Sequence, residues 1–379
     1  MEHVHILGGL RSFIGVKDGM YRHVPAETLG AAVLKECKTR YELDDEKIDL
    51  IIGGNAVAGG GNVMRLAALE AGICEQVPAL TMDLQCASAL EAITAAAARI
   101  ESGLADLVIA GGLESSSTQP LRSWNPNHPL YEPGTYTVAR FIPGHQGEQV
   151  MLEGAELAAL ETGVTAADMD PWVLRSHKRA ANARRQGILA DRQVSVAGST
   201  QDENIRERIS QKLLDRLPFL LPGGQRITAG NACLMHDGAA FVILCSERWL
   251  LAHGRTSPCR FCLGTTVGGD PLQSPRTAPL AVRSLLKQAR LSSQQIDAFE
   301  INEAFAVIDV LFAREFPGTS DRYNIFGGAL AYGHPYGASG AILLLHLMKA
   351  LELRQGRYGL CGIAAAGGIG SAILIERTL

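Results

Sequence analysis

Apolar runs alternate with amphipathic stretches along the chain, and this pattern predicts strands alternating with helices. The run Val77 to Leu84 predicts a strand, and the alanine-rich stretch over residues 87–102 predicts a helix directly after it. The run Ile296 to Ile301 predicts another strand, and Ile342 to Leu353 predicts another helix. Alternation of this kind is typical of the α/β class.

The pattern also repeats within the chain. Leu34 to Gly54 and Leu285 to Glu303 share one order: a helical stretch, a leucine, four polar residues, an Ile-Asp pair and an apolar run. We therefore predict two similar α/β halves, residues 1–245 and residues 246–379.

Residues 118–228 break this rhythm. Prolines interrupt the alternation early in the segment, at positions 120, 126, 129, 133 and 143. A helix is predicted later in it, with Asp170 as N-cap, Pro171 in the first turn and Gly187 at its end.

Composition and charge exclude several classes of function. The chain has 379 residues, of which 47% are hydrophobic, and this size supports a two-lobed globular protein. A formal net charge of −4 gives no basic surface of the kind that nucleic acids require, so no nucleic-acid partner is expected. No apolar run approaches the roughly 18 residues that a membrane span needs, and the N-terminus lacks a signal-peptide pattern. We expect a cytoplasmic protein that does not bind membranes.

The cysteines do not form a disulfide framework. Eight of them are scattered over the chain, which fits a reducing compartment. Cys259 and Cys262 form a Cys-x-x-Cys pair, but a zinc site needs a second pair of ligands. A strand at this point would also direct the two sulfurs to opposite faces. We expect no metal site.

Cys86 is the candidate nucleophile. It lies between the first predicted strand and its helix, so the positive end of the helix dipole points at the sulfur and favours the thiolate. The alternative is a small buried cysteine that only packs at a helix start. Three later segments favour the nucleophile.

The first of these segments places His334 among glycines and directly before Pro335, which predicts close backbone approach. The second places Asn302 at the end of a predicted strand, where open α/β folds carry their chemistry. The third is the small-residue stretch from Thr228 to Ala232, which could lie flat against a ligand. His334 is the candidate general base, and a histidine satisfied within the core is the alternative.

Together, and in this order, the segments resemble the thiolase family. The resemblance covers residues 4 to 376. The matching motifs are Gln85-Cys86-Ala87-Ser88, Gly111-Gly112-Leu113-Glu114-Ser115, Asn231-Ala232-Cys233 with Asp237-Gly238-Ala239, Asn302-Glu303-Ala304-Phe305, and Gly333-His334-Pro335-Tyr336-Gly337-Ala338-Ser339-Gly340.

The resemblance implies a fold and an activity. The fold is the thiolase fold, with two duplicated α/β halves in five αβαβα layers and a cap domain, about residues 118–228, inserted in the first half. The activity is that of an acyl-CoA C-acyltransferase of lipid metabolism, which needs no tightly bound cofactor. An acyl-CoA loads Cys86, and the acyl group passes to a second acyl-CoA or to coenzyme A. A homodimer or homotetramer is also implied.

The resemblance also assigns roles to individual residues. Cys86, His334 and Asn302 are the implied catalytic residues. The backbone amides of Cys86 and Ala366 are the implied oxyanion donors. The implied contacts with coenzyme A or the acyl substrate are Met151, Arg216, Ala229, Asn231 and Cys233.

The chain departs from the family pattern near its C-terminus. Thiolases carry there a second cysteine that moves the α-proton during carbon–carbon bond formation, and Ala364 occupies its position in this chain. Alanine cannot carry a proton, so the carbon–carbon step is expected to be atypical. Cys361 is the candidate substitute, although a regular strand would turn it to the opposite face unless the backbone shifts locally. Cys233 and His236 also differ, because the family has serine and asparagine there.

Three alternative functions remain open from the sequence. A decarboxylating condensing enzyme of ketoacyl-synthase type would use the same three catalytic residues and needs no proton-abstracting cysteine. An acyltransferase or thioester hydrolase would need only the acyl-enzyme on Cys86. A non-catalytic thiolase-like subunit would need neither the three catalytic residues nor an acyl-enzyme.

Overall fold

A computed structural model describes residues 2–145 and 147–378. The strands are β1 (Val4–Ser12), β2 (Gly15–Val16), β3 (Leu50–Gly54), β4 (Ala79–Met82), β5 (Leu107–Ser115), β6 (Gln193–Val194), β7 (His236–Ser246), β8 (Cys259–Gly268), β9 (Ala298–Ile301), β10 (Tyr358–Ala365) and β11 (Ile369–Arg377). The helices are α1 (Ala26–Arg40), α2 (Val63–Glu70), α3 (Ser88–Glu101), α4 (Val150–Glu161), α5 (Ala166–Arg185), α6 (Gln211–Leu214), α7 (Glu247–Ala252), α8 (Thr277–Ala289), α9 (Ala306–Glu315), α10 (Ala329–Tyr332) and α11 (Ser339–Arg354). Within these ranges, none of the helices has the length and hydrophobicity that crossing a bilayer takes.

Strand order shows that the two halves share one topology. The strands run β4-β3-β5-β7-β1-β8-β11-β10-β9, and the two halves meet where β1 pairs antiparallel with β8. Outward from that contact, β1, β7, β5 and β3 correspond to β8, β11, β10 and β9. In both halves the outer pair is parallel, β3 with β5 and β9 with β10. The predicted duplication is therefore present in the strand connections.

The helices form layers around these strands. Helices α3 and α11 pack against each other and against strands of both halves, so they form the central layer. Helices α1 and α2 cover the outer face of the first half, and α8 and α9 cover the outer face of the second. The predicted five-layer αβαβα arrangement is confirmed.

The segment 118–228 contains α4, α5 and α6, and the predicted start of the helix that became α5 is wrong. Helix α5 begins one turn before Asp170, because Thr165 is its N-cap and forms a reciprocal capping box with Asp168. Pro171 lies inside the helix, and the side chain of Asp170 accepts a hydrogen bond from Gln211 instead of capping. Gly187, with φ of 62°, ends the helix as expected.

A buried ion pair connects this segment to the first strand. Arg11 is fully buried and donates two hydrogen bonds to Asp202, at 2.8 and 3.0 Å. The same carboxylate accepts from the backbone N–H of Ile14 at 2.8 Å. The paired geometry compensates the desolvation of both charges, and removing either partner would leave the other uncompensated.

Cys259 and Cys262 lie on opposite faces of β8, as the strand prediction required. Cys259 belongs to the core around the central helices, whereas Cys262 packs against the core on the outer face of the second half. In the part of the chain that the structure describes, no group of three or more His, Cys, Asp or Glu side chains is placed to hold a metal ion.

Candidate active site

The turn that carries Cys86 is held in a strained conformation. Gln85 has φ of 52°, a left-handed value that residues other than glycine adopt only when their surroundings impose it. Ser88 stabilises the turn by accepting from the N–H of Leu84 at 2.8 Å and donating to the carbonyl of Gln85 at 2.6 Å. Cys86 stays partly accessible at the tip of this turn.

The predicted oxyanion donors lie near the Cys86 sulfur. The backbone amides of Ala366 and of Cys86 itself both lower the pKa of its thiol. Loss of solvent around the sulfur is the larger effect, however, and it raises the pKa of the Cys86 thiol to about 12. The expectation of a resting thiolate is therefore wrong, because desolvation outweighs the two amides. The amides remain available for an oxyanion that forms when a carbonyl binds next to the sulfur.

His334 is a neutral base in a fixed orientation. Its Nδ1 lies 2.5 Å from Oγ of Ser339, and that hydroxyl is also 3.1 Å from the carbonyl of Pro335. We assign the one hydroxyl hydrogen to the carbonyl, so that the hydroxyl accepts from Nδ1–H. This assignment leaves the basic lone pair on Nε2, which lies 3.3 Å from the amide nitrogen of Asn302. Burial lowers the pKa of His334 to about 3.

Glycines let the His334 loop insert between strands of the first half. A Cβ on Gly112 would lie 1.9 Å from the carbonyl oxygen of Gly337, and one on Gly337 would lie 2.6 Å from Cα of Asn55. The predicted close approach of backbones is thus observed.

Glu114 fastens this loop to the first half. Its buried carboxylate accepts from the N–H of Gly337 at 2.9 Å, from Ala56 at 3.0 Å and from the amide of Asn55 at 2.8 Å. Burial raises the pKa of Glu114 to about 7, although these donors lower it. The loop from the second half is therefore anchored to the half that carries Cys86.

Cys86 and His334 share Tyr336 as a neighbour. The imidazole packs edge-on against the Tyr336 ring, with centroids 5.1 Å apart. Thiolate charges on Cys86 and Cys233 both raise the pKa of the Tyr336 phenol, after the larger effect of burial. Among the described residues, no hydrogen bond joins Cys86 directly to His334. Such contacts are often long before substrate binds.

Asn302 lies at the end of β9, as predicted. Its backbone N–H bonds to the carbonyl of Gly362 at 2.9 Å, which fixes it beside β10. The next residue, Glu303, is buried and held by Ser176 at 2.6 Å and Asn324 at 2.8 Å. These bonds hold the segment that presents the Asn302 amide to His334.

The predicted ligand contacts differ in their surroundings. Asn231 is fully buried, and its amide oxygen and nitrogen bond to the backbone of Thr228 and Arg226, so it shapes the turn. Ala229 is half-buried in the same turn. Arg216 is exposed, whereas Met151 is half-buried on α4 and packs against the outer core of the second half.

Ala364 and Cys361 face opposite sides of β10. Ala364 belongs to the outer core of the second half, and Cys361 belongs to the core around the central helices. The register between β10 and β11 runs from Tyr358 to Ala365 without a shift, so the local change that Cys361 would need is absent. The Cys361 thiol is fully buried, and burial raises its pKa well above the usual range.

A large open cavity lies beside the nucleophile turn. Its volume is about 490 Å³, and it is lined by Asp83, Asn55, Arg122, Trp124 and Tyr136 among others. Arg122 is fixed there by the carbonyls of Val57, Ala58 and Thr137. Sequence reasoning missed this lining, because the segment around Trp124 carries no periodic pattern.

Two models of the thiolase family match the chain. The model of the thiolase N-terminal domain matches residues 4–248, and the model of the C-terminal domain matches residues 259–377.

Relatives and solved structures match over nearly the whole length. The Bacillus subtilis (strain 168) protein "Putative acetyl-CoA C-acetyltransferase YhfS" is 35% identical over 98% of each chain. The Staphylococcus aureus (strain MRSA252) protein "Putative acetyl-CoA C-acetyltransferase VraB" is 34% identical over 100% of each chain. The crystal structure of Bacillus anthracis acetyl-CoA acetyltransferase superimposes with a TM-score of 0.93 at 29% identity, covering 100% of this chain and 99% of that one. Human mitochondrial 3-ketoacyl-CoA thiolase in complex with CoA gives a TM-score of 0.92 at 27% identity, covering 100% and 98%.

Proposed function

The chain belongs to the thiolase family, and we propose that it is an acyl-CoA C-acyltransferase that forms an acyl-enzyme on Cys86. The nearness of the backbone amides of Cys86 and Ala366 to the Cys86 sulfur supports this proposal most directly, because the same amides can stabilise the oxyanion of a thioester under attack. The names of the relatives, and the CoA complex of a similar structure, support coenzyme A thioesters as substrates.

In the first half-reaction, the Cys86 thiol attacks the thioester carbonyl. Nε2 of His334 takes the thiol proton as the carbon–sulfur bond forms, since the resting thiol is protonated and the resting imidazole is neutral. The negative charge on the carbonyl oxygen meets the amides of Cys86 and Ala366. Coenzyme A departs and leaves the acyl group on Cys86.

In the second half-reaction, the acyl group passes to a second acyl-CoA or to coenzyme A. Ala364 supplies no proton carrier to this step, so its chemistry differs from the usual family arrangement. Asn302 donates to His334, and the family resemblance supports a further role for its amide in polarising a second carbonyl.

We also propose that the enzyme works in the cytoplasm and needs no tightly bound cofactor.

The enzyme is further proposed to form a homo-oligomer through the edge strand β4. This strand is outermost in the sheet and carries Leu80, with 43% of its surface exposed. Light scattering on the wild type and Leu80→Lys tests the assembly: a smaller particle in the variant is expected, and an unchanged mass would contradict an interface there.

The activity is tested by intact mass spectrometry after mixing with a panel of acyl-CoA thioesters. One acyl group should appear on the wild-type chain and map to the peptide that contains Cys86. The Cys86→Ala variant should stay unmodified while keeping its fold. A wild-type protein that no member of the panel acylates would refute the proposal.

The second substrate is identified by a competition between acetyl-CoA and malonyl-CoA. Condensation from acetyl-CoA alone, without release of carbon dioxide, would identify a C-acyltransferase. Condensation that requires malonyl-CoA would identify a decarboxylating enzyme instead.

A further inference from the structure

The proposed function leaves the α-proton of the second substrate without an acceptor, since Ala364 replaces the family's second cysteine. We propose that Cys233 is this acceptor, so that a thiol from the turn before β7 replaces the one missing from β10. This inference rests on the proposed acyl-CoA C-acyltransferase activity.

The backbone places Cys233 between the two segments that carry the other catalytic groups. Its N–H donates to the carbonyl of Ala304 at 2.9 Å, two residues beyond Asn302. Met235 forms a bridge with His334. Cys233 is therefore fixed at the same site from both sides.

Cys233 and Ala364 belong to the same hydrophobic cluster. Cys233 packs against the outer core of the second half, to which Ala364 belongs. Cys361, in contrast, is fully buried on the other face of β10. Cys233 retains partial accessibility, as Cys86 does, which a group that meets a substrate requires.

Electrostatics connects Cys233 to the state of Cys86. After the larger effect of burial, the nearby thiolate charge of Cys86 raises the pKa of the Cys233 thiol. The two sulfurs therefore lie close enough to interact, which fits two groups that act on the same bound substrate.

The proton balance closes with the groups present. In the first half-reaction, His334 takes the Cys86 proton, and the Cys233 thiol protonates the departing coenzyme A sulfur, leaving a Cys233 thiolate. That thiolate takes the α-proton of the second acyl-CoA, and the C–H electron pair forms the bond to the carbonyl carbon of the acyl-enzyme. The bond from that carbon to Cys86 breaks, and the released sulfur recovers its proton from His334. Cys233 again carries a proton and the enzyme is regenerated.

The alternative role of Cys233 is packing alone, in place of the serine that the family has there. A serine hydroxyl cannot ionise usefully near neutral pH, so the two roles separate in a serine variant of almost equal volume. Cys233→Ser keeps the packing and loses the proton carrier.

The experiment measures two quantities on the full-length protein: acetylation of Cys86 by acetyl-CoA, and exchange of the acetyl-CoA methyl hydrogens with deuterated water. In Cys233→Ser and Cys233→Ala, Cys86 should still become acetylated, but more slowly than in wild type, because solvent then protonates the departing coenzyme A sulfur in place of Cys233. Exchange and condensation should fall roughly 10²- to 10⁴-fold, the usual contribution of a general base. Cys74→Ala, a partly exposed cysteine outside the site, is the matched control and should change neither.

A second substitution tests the position of the missing thiol. In the double variant Cys233→Ala with Ala364→Cys, exchange should recover at least about tenfold over Cys233→Ala alone, because a thiol is restored in the same hydrophobic cluster.

The outcomes separate the two proposals. If wild type acetylates Cys86 but both Cys233 variants exchange within about threefold of it, Cys233 is not the acceptor. The inference would also be overturned if Cys361→Ala lost hydrogen exchange while Cys233→Ser kept it. A wild type that is acetylated but exchanges no methyl hydrogens would overturn it as well. A wild type that is never acetylated refutes the proposed function itself.

Discussion

Replacing Ser339 by alanine tests whether the fixed imidazole drives acylation. The hydroxyl bonds to Nδ1 of His334 at 2.5 Å and to the carbonyl of Pro335 at 3.1 Å, in a side chain that is 3% exposed. Its loss leaves the buried Nδ1–H of His334 without an acceptor, although the carbonyl still accepts from the N–H groups of Ala338 at 2.8 Å and residue 339 at 3.0 Å. The unpaired donor should reduce the free energy of unfolding by about 1–3 kcal/mol.

The kinetic effect comes from the change of charge on the ring. Hydrogen bonds contribute about 1 kcal/mol between neutral groups and about 1.5–3 kcal/mol to charged ones, so the Ser339 bond should strengthen by about 0.5–2 kcal/mol as imidazole becomes imidazolium. Acylation in Ser339→Ala should therefore slow by roughly 2- to 30-fold, since 1.36 kcal/mol corresponds to tenfold in rate.

The assay is the rapid release of coenzyme A in a single turnover with acetyl-CoA. Ser257→Ala is the matched control, because this buried hydroxyl also has two backbone carbonyls, Ile6 and Cys259, within hydrogen-bonding distance but does not contact His334. The control should lose stability and keep its acylation rate. Acylation of Ser339→Ala within about twofold of wild type, or equal slowing in both variants, would refute the role of Ser339.

Three further predictions follow from the same geometry. Alkylation of Cys86 by iodoacetamide should rise about tenfold per pH unit between about pH 7 and pH 10, because its thiol pKa is about 12; a plateau in that range would show a preformed thiolate. The pKa of His334 falls from 6.5 to about 3 on folding, so its contribution to stability is complete above pH 6.5 and is lost as the pH falls toward 3. As the pH is lowered between those values, the free energy of unfolding measured with urea should therefore decline less steeply in His334→Gln than in wild type, by up to about 1.4 kcal/mol per pH unit. Equal slopes in the two proteins would contradict the lowered pKa of His334. Gly337→Ala should lower stability by about 1–3 kcal/mol and slow acylation roughly 10- to 100-fold, because its Cβ meets backbone atoms of Asn55 at 2.6 and 2.9 Å. Gly268→Ala, whose Cβ would meet nothing within 4 Å, should change neither the stability nor the acylation rate. Equal effects of the two substitutions would contradict a steric cause.

The fold could be predicted largely from the sequence, because its evidence is local and repeated. The parallel between Leu34 to Gly54 and Leu285 to Glu303 reappears as α1 with β3 and α8 with β9, in corresponding places of the two halves. The start of α5 was missed because Pro171 marks a first turn in many helices. In this chain the capping box formed by Thr165 and Asp168 starts the helix earlier.

The site was only partly predictable. The motifs indicated Cys86, His334 and Asn302, and the structure brings the latter two into contact and places Tyr336 beside Cys86 and His334. The motif that holds His334 also contains Ser339, but its role depends on which atom receives the single hydroxyl hydrogen, and that requires coordinates.

The protonation state of Cys86 could not be read from the chain. A position before a helix predicted a low pKa for the Cys86 thiol, and desolvation in the folded structure reverses this. The amide of Asn231 is likewise occupied by its own turn, which composition does not reveal.

The central claim is that the Cys86 sulfur receives the acyl group of a coenzyme A thioester. Quenching the purified protein within its first turnover with acetyl-CoA, and sequencing its peptides by mass spectrometry, tests this directly. One acetyl group on Cys86, absent from Cys86→Ala and formed at least about tenfold more slowly in His334→Ala, is the predicted result. Release of coenzyme A at the wild-type rate from Cys86→Ala, or an acetyl group on another residue alone, would contradict the account.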